Sequence, residues 1–194
     1  MQLIRQDELY PLEKYAQIRK DFRAEVMQHK KDRQLAIGPH VTLYFEDRMT
    51  IQYQIQEMLR VERIFEADGI REELDAYNPL IPDGRNLKAT MMIEYENPQE
   101  RAQRLAELVG IEDTVWLQAG DLGKVKAIAD EDLERATEDK TSAVHFLRFE
   151  FTDEMVNALR DGAALSAGAE HKAYSHAVEP VPDNVRESLL RDFD

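Results

Sequence analysis

Four ionisable side chains form the best candidate for a polar site in this sequence. They are His40, Glu62, His145 and Arg148. Glu62 falls within an apolar helical stripe and His145 on the apolar face of a predicted strand, where a charged group requires a partner. We predict that Glu62 is mostly buried and bonded to a basic side chain of the sheet. The cluster is then either an ion pair that fixes helix to sheet, which we favour, or a small acid/base or anion site.

This prediction has a mutational consequence. Removing one partner of a buried ion pair costs about 3–5 kcal/mol, because the other charge is left buried and unpaired. Glu62→Ala is therefore expected to lower the melting temperature far more than Glu57→Ala on the opposite face of the same helix.

Two further histidines, His171 and His176, flank the tip of a predicted hairpin. With a carboxylate such as Glu170 they have the chemistry to hold a divalent metal. Their spacing matches no known ligand motif, so a solvated hairpin tip is favoured over a metal site. We expect no resident cofactor.

A long connection at residues 75–86 offers the third candidate. Stacking, hydrogen-bonding and charged groups are concentrated there, at Tyr77, Asn78, Asp83 and Arg85. Loops commonly carry binding residues, so this one is expected to border a pocket or an interface. The alternative is a covering flap that Leu80 and Ile81 attach to the core.

The common signatures of catalysis and cofactor binding are absent from the sequence. It has neither G-x-S-x-G nor any cysteine, which excludes thiolate nucleophiles and cluster ligation by its own thiolates. It has neither of the glycine-rich nucleotide-binding fingerprints. No E-x-x-H lies on a predicted helix, so a ferritin-type di-iron centre is not expected.

Charge and composition narrow the class of protein. The 194-residue chain has a net charge of −14, which makes nucleic-acid binding an improbable main role. Residues 1–33 carry eight basic and six acidic groups, whereas the remainder carries 17 basic and 33 acidic groups. No run of apolar residues approaches the ~20 that a membrane span needs, and no signal peptide is visible. We expect a cytoplasmic protein.

The longest helical pattern runs over residues 47–69. Ile51, Ile55, Leu59 and Phe65 share one face, with Asp47 as the N-cap and Gly69 as the stop. Other helices are predicted over 12–31, after Asn97, after Thr152 and from Asp183, and a short one within the acidic run at 130–139. Strands are predicted over 34–46, 87–96 and 141–151, with hairpins at 114–129 and 163–181.

These elements alternate without a regular βαβ rhythm. The sequence therefore predicts an α+β fold with a largely antiparallel sheet of about six to eight strands and four to six helices. We expect a single domain over residues 1–194, with the basic helix of residues 1–33 packing on it or extending from it. The oligomeric state is left open.

Several long stretches together resemble a bacterial family catalogued as domain of unknown function 3501. They are QYQIQEMLRVERIF at 52–65, EELDAYNPLIPDG at 72–84 and EDKTSAVHFLRFEF at 138–151, with GPHVTLYFED and HKAYSH nearer the termini. The resemblance covers nearly the whole chain and assigns no catalytic residue. It implies a genomic context, because such genes often lie beside genes for rubrerythrin-like proteins and iron–sulfur oxidoreductases.

Two functions are consistent with these observations. The favoured one is a non-enzymatic accessory protein of redox or peroxide-stress partners, which the absent catalytic signatures and the implied context support. The alternative is a small-ligand-binding protein or metal-dependent enzyme that uses the region of Glu62, His145 and Arg148. A pocket that holds those side chains would favour the alternative.

Overall fold

The structure, a computed structural model, describes residues 3–133, 135–137 and 139–194. Within these residues the chain forms six α-helices and nine β-strands. The helices are α1 Leu12–Lys31, α2 Arg48–Val61, α3 Ala67–Tyr77, α4 Pro98–Glu107, α5 Asp153–Arg160 and α6 Asp183–Leu189. The strands are β1 Gln34–Ile37, β2 Val41–Glu46, β3 Asn86–Ile93, β4 Val115–Ala119, β5 Val125–Lys126, β6 Ile128–Ala129, β7 Val144–Glu150, β8 Leu165–His171 and β9 Tyr174–Val178.

The strands form two antiparallel sheets that share the main apolar core. The first has the order β1-β2-β3-β7-β6, and the second has the order β5-β4-β8-β9. Alternate residues of both sheets point into the core, as the alternating apolar pattern requires, and α5 and α6 add their apolar faces to it. The predicted α+β class is confirmed, with the strands divided between two sheets.

A second, smaller core lies within the helical layer formed by α1, α2 and α3. Ile51, Ile55 and Leu59 of α2 pack there against Leu74 of α3 and Ile81. The basic helix α1 lies along α2, where Phe22 packs edge-on against Tyr53 and Arg19 pairs with Glu57. The predicted bounds of α1 are confirmed. This layer faces the side of the five-stranded sheet that is turned away from the main core.

Arg33, just after α1, is the most heavily bonded buried side chain of the fold. Only 2% of it is exposed. Its guanidinium donates to the backbone carbonyls of Phe45, at 3.1 Å, and Glu46, at 3.0 Å, which end β2. It also lies 3.4 Å from the carboxylate of Asp47, the residue that caps α2.

The same guanidinium reaches the C-terminal segment of the chain. It donates to Asp192 Oδ2 at 2.5 Å and to the carbonyl of Ser188 at 3.3 Å. The Asp47 oxygen that faces Arg33, Oδ2, also lies 2.5 Å from His29 Nε2. One buried charge cluster therefore connects the end of α1, the end of β2, the start of α2 and the C-terminus. We call Arg33, Asp47 and Asp192 the Arg33 cluster.

The prediction of a single helix over residues 47–69 is wrong in its second half. The Asp47 cap is confirmed, because its carboxylate accepts the Thr50 amide. However, α2 ends at Val61, and Arg63 adopts a left-handed φ of 55°. The chain turns there so that the start of α3 packs on α2, and this turn leaves Glu62 and Phe65 exposed, the latter by 67%.

Two other segments also differ from the predictions. The connection at 75–86 is partly helical, because α3 continues to Tyr77 and a 3-10 turn follows at Asn78–Leu80. The acidic run at 130–139 forms no helix in its described residues, while Glu134 and Glu138 lie outside them. The two predicted hairpins pair as β4 with β5 and β8 with β9.

The structure reverses the predicted ranking of the stability losses caused by Glu57→Ala and Glu62→Ala. Glu57 accepts hydrogen bonds from Arg19 Nε at 2.8 Å, Arg19 Nη2 at 2.7 Å and the Tyr15 hydroxyl at 2.7 Å, whereas Glu62 is exposed. Glu57→Ala should lower the free energy of unfolding by about 2 kcal/mol, because charged hydrogen bonds are lost. Glu62→Ala should change it by less than about 0.5 kcal/mol. Urea unfolding measures both, and a larger loss from Glu62→Ala would contradict the structure.

The Arg33 cluster also predicts a pH dependence. Burial raises the pKa of Asp192 to about 6, although Arg33 partly offsets this effect. Because the folded state binds this proton more tightly than the unfolded state does, Asp192 should add stability as the pH falls from about 6 towards 4. Burial also acts to raise the pKa of Asp47, but Arg33, the Thr50 amide and His29 outweigh burial and hold that pKa below its usual value. Asp47 therefore loses its contribution only at lower pH.

Urea unfolding from pH 7 to pH 4 tests this dependence. The wild type should gain stability relative to Asp192→Asn over that interval. Asp121→Asn, at an exposed loop position, should follow the wild type. Parallel profiles for the wild type and Asp192→Asn would contradict the raised pKa.

Candidate ligand-binding groove

The structure separates the four residues of the predicted polar cluster. Glu62 lies in solvent at the end of α2, so the predicted buried ion pair is wrong. His40 lies in the β1–β2 turn, where its ring stacks on Tyr95 with 3.9 Å between centroids. His145 and Arg148 lie three positions apart on β7, which places them on opposite faces of the sheet.

His145 is nevertheless the centre of a buried polar network. Its Nδ1 lies 2.6 Å from Asp130 Oδ2, and its Nε2 lies 2.8 Å from the Thr141 hydroxyl. That hydroxyl donates to Glu112 at 3.2 Å. Both ring nitrogens are engaged and the side chain is 0% exposed, so the network is suited to holding Asp130 and Thr141 against β7. The sequence pattern identified His145 but not its partners.

The two weak metal candidates are engaged by contacts within the hairpin and with neighbouring segments. His171 is buried, with Nε2 3.2 Å from the Val109 carbonyl and Nδ1 accepting the Ala173 amide. The ring of His176 packs on Tyr174 and beside Gly38. Among the described residues, no group of three or more histidine, aspartate or glutamate side chains is arranged to hold a metal ion.

The loop candidates have separate roles. Asn78 exchanges two hydrogen bonds, each of 2.9 Å, with the backbone of Ile4 and so attaches the N-terminal segment. Asp83 accepts the Arg85 amide within a turn. Tyr77 is half-buried between the helical core and the cavity described next. The loop is thus partly a flap, with Ile81 buried, and partly the border of a cavity.

A groove separates the helical layer from the outer face of the five-stranded sheet. It comprises two adjoining cavities of about 480 and 550 Å³. Four residues line both cavities: Glu46, Tyr77, Leu80 and Phe146. Cavities of this size accommodate small organic ligands. We call this space the helix–sheet groove.

The strand register explains the floor of the groove. Tyr44 of β2 and Phe146 of β7 both pair with Thr90 of β3, so a short side chain lies between two aromatic ones. In the next row, Glu46 and Arg148 flank Lys88. The small threonine leaves a depression with aromatic walls. Arg135 covers Phe146 from one side, at 4.5 Å from the ring centroid.

Glu46 is the polar centre of this floor. One carboxylate oxygen accepts the Thr50 hydroxyl at 2.5 Å, and the other accepts the Thr90 hydroxyl at 2.7 Å. No described lysine, arginine or histidine forms an ion pair with it. Lys88 lies opposite in the register, but its ammonium donates to the Pro79 carbonyl, and burial lowers the pKa of Lys88.

The remaining cations around the groove are also engaged by protein partners. Lys30 lies over the Tyr53 ring at 6.0 Å, and Lys31 donates to Gln28 at 2.9 Å. Arg148 forms a bidentate ion pair with Glu131, with both N–O distances at 2.7 Å. Glu46, whose two hydrogen-bond partners are neutral hydroxyls, is the carboxylate of the floor that no described cation pairs with.

A separate concavity of about 870 Å³, larger than either cavity of the groove alone, lies beside His40. Its polar lining includes Glu94, Glu96, Glu100 and Arg101. The helix–sheet groove is the better candidate, because its lining combines aromatic side chains with one centrally placed carboxylate.

Comparison with known proteins establishes the family but no activity. The sequence profile described as "Protein of unknown function (DUF3501)" matches residues 3–193. The chain belongs to the DUF3501 family. A crystal structure of a novel protein of unknown function from Burkholderia pseudomallei is 54% identical and matches with a TM-score of 0.94, and all of each chain is covered. No curated protein matches the chain.

No helix in the described part of this DUF3501 chain is long and apolar enough to cross a membrane. The chemistry of the groove has to be inferred from the residues that line it.

Sequence reasoning selected Tyr77 and Arg148 of the groove of this DUF3501 protein, but it missed the floor around Glu46. Its strand patterns placed Tyr44 and the side chains of 146 and 148 on the faces opposite the core. What it lacked was the register that aligns Tyr44, Thr90 and Phe146 across three strands. A glutamate at the end of a strand, followed by an N-cap aspartate and a threonine, was the available signal for Glu46.

Proposed function

We propose that this protein binds a small organic molecule in the helix–sheet groove. The observation that carries the proposal is the placement of Glu46, a carboxylate fixed by two hydroxyls in a depression with aromatic walls. Preorganised polar groups within a mostly apolar cavity are typical of ligand sites. Of the predicted cluster of Glu62, His145 and Arg148, Arg148 borders this groove and the other two residues lie elsewhere.

Binding explains the arrangement better than catalysis does. Both Glu46 oxygens accept hydrogen bonds from threonines, which fixes the carboxylate in one orientation. Glu46 and its two supports come from three elements, since Glu46 ends β2, Thr50 belongs to α2 and Thr90 belongs to β3. Such rigid support favours recognition of a complementary group, because little side-chain freedom is lost on binding.

The accessory role beside redox partners stays a prediction. The net charge of −14 favours a partner with a basic surface, and a bound small molecule is compatible with such a role. We also propose that the protein acts in the bacterial cytoplasm, because of its composition and its resemblance to a bacterial family.

Methyl NMR of protein labelled at its methionines tests the proposal. Met27 and Met92 line the groove, whereas Met155 lies on α5. In a screen of small aromatic fragments that includes indole, benzyl alcohol and benzylamine, binders should shift the methyl signals of Met27 and Met92 and leave Met155 unchanged. Thr90→Leu, which fills the depression, should abolish those shifts.

Two results would contradict the proposal. One is a screen in which no fragment shifts the signals of Met27 or Met92. The other is a set of shifts that persists unchanged in a folded Thr90→Leu protein.

A further inference from the structure

We infer that the groove is specific for organic cations, and that Glu46 is the residue that receives the ammonium group of a ligand. This inference rests on the proposed function and adds to it the chemical class of the ligand. The class is a primary arylalkyl- or alkylammonium compound whose apolar part lies between Tyr44 and Phe146. The helical layer covers that apolar part from the other side.

The first argument is the hydrogen-bonding capacity of Glu46. An ionised carboxylate offers about four acceptor positions. In the protein one is filled by the Thr50 hydroxyl and one by the Thr90 hydroxyl. About two remain for a donor that enters from the groove. An ammonium group carries three donors and matches this remaining capacity, and its charge strengthens each bond.

The second argument is the balance of charge around the groove. Its cations already have partners in the protein, because Lys88 donates to Pro79 and Arg148 pairs with Glu131. Glu46 by contrast interacts with two neutral hydroxyls. An entering cation therefore finds a carboxylate that no described cation neutralises, whereas Arg148 is already neutralised by Glu131 and burial disfavours the charged form of Lys88. Complementary charge then selects a cation.

The third argument is the aromatic wall. Tyr44 and Phe146 flank Thr90 in the register, and Tyr77 closes the groove from the helical layer. Aromatic faces attract cations, and the attraction increases when water is displaced. Burial raises the pKa of Tyr44, which is consistent with a partly desolvated environment there. An ammonium group with an aromatic or alkyl body fits both the carboxylate and the walls.

Calorimetric titration with a matched pair of probes tests the inference. Benzylamine and benzyl alcohol have nearly the same shape, but only the amine is cationic at pH 7. The wild type should bind benzylamine at least tenfold more tightly than benzyl alcohol. Glu46→Gln keeps one acceptor oxygen for a threonine hydroxyl, replaces the other oxygen with an amide donor and removes the charge, so it should abolish this preference.

Glu94→Gln is the matched control. Glu94 also accepts a threonine hydroxyl, from Thr42 at 3.2 Å, but it lies beside the other concavity. This variant should keep the wild-type preference for the amine. A preference that survives in Glu46→Gln, or disappears in Glu94→Gln, would overturn the assignment of Glu46.

The comparison of the two probes in the wild type does not depend on the folding of any variant. Equal affinities for amine and alcohol would overturn the cation specificity. If neutral fragments shift Met27 and Met92 while benzylamine does not bind, the inference fails and the proposed binding function stands. If no fragment binds the groove, both fail.

Discussion

The fold depends on the burial of one guanidinium. Arg33 lies where the helical layer, the end of β2 and the C-terminal segment meet. It donates to the carbonyls that end β2 and to Asp192 of the C-terminal segment, and it lies 3.4 Å from the carboxylate of Asp47, which caps α2. A buried ion pair does not by itself imply high stability, because desolvation offsets much of the attraction. It does impose geometry, since a partner that moved away would leave a charge buried alone. The cluster therefore fixes the position of the C-terminal segment relative to the end of α1, the end of β2 and the start of α2.

This constraint extends directly to the groove. Asp47 accepts the Thr50 amide as the N-cap of α2, and the Thr50 hydroxyl donates to Glu46. Arg33 holds the backbone carbonyl of Glu46 and lies beside the carboxylate of Asp47. The residue proposed to receive the ligand is thus supported by the same turn that anchors the helical layer. A site held on such a support is well suited to recognition, because its carboxylate is fixed before the ligand arrives.

Local features of the sequence predicted the local structure well. The cap at Asn97, the cap at Thr152 and the bounds of α1 follow from spacing and capping chemistry, and the structure confirms them. The error at Glu62 arose because helical periodicity was extended past Val61. Nothing in a local pattern shows that α3 folds back on α2, and this contact decides which side chains of residues 62–66 are exposed.

The groove and the Arg33 cluster could not be predicted in the same way. Arg33 and Asp192 are 159 positions apart, and the aromatic walls come from residues 44 and 146 on strands that meet only through β3. A single sequence gives the alternation along each strand but not the register between strands. His145 and Arg148 lie on opposite faces of β7, and the structure shows that their partners are Asp130 and Glu131.

A crystal structure of the protein with benzylamine tests the account most directly. We predict density for the ligand in the helix–sheet groove, with its nitrogen within hydrogen-bonding distance of Glu46 and its ring between Tyr44 and Phe146. The Arg33 cluster should be unchanged by binding. Benzylamine bound only in the concavity beside His40, or bound in the groove with its nitrogen turned away from Glu46, would contradict the account.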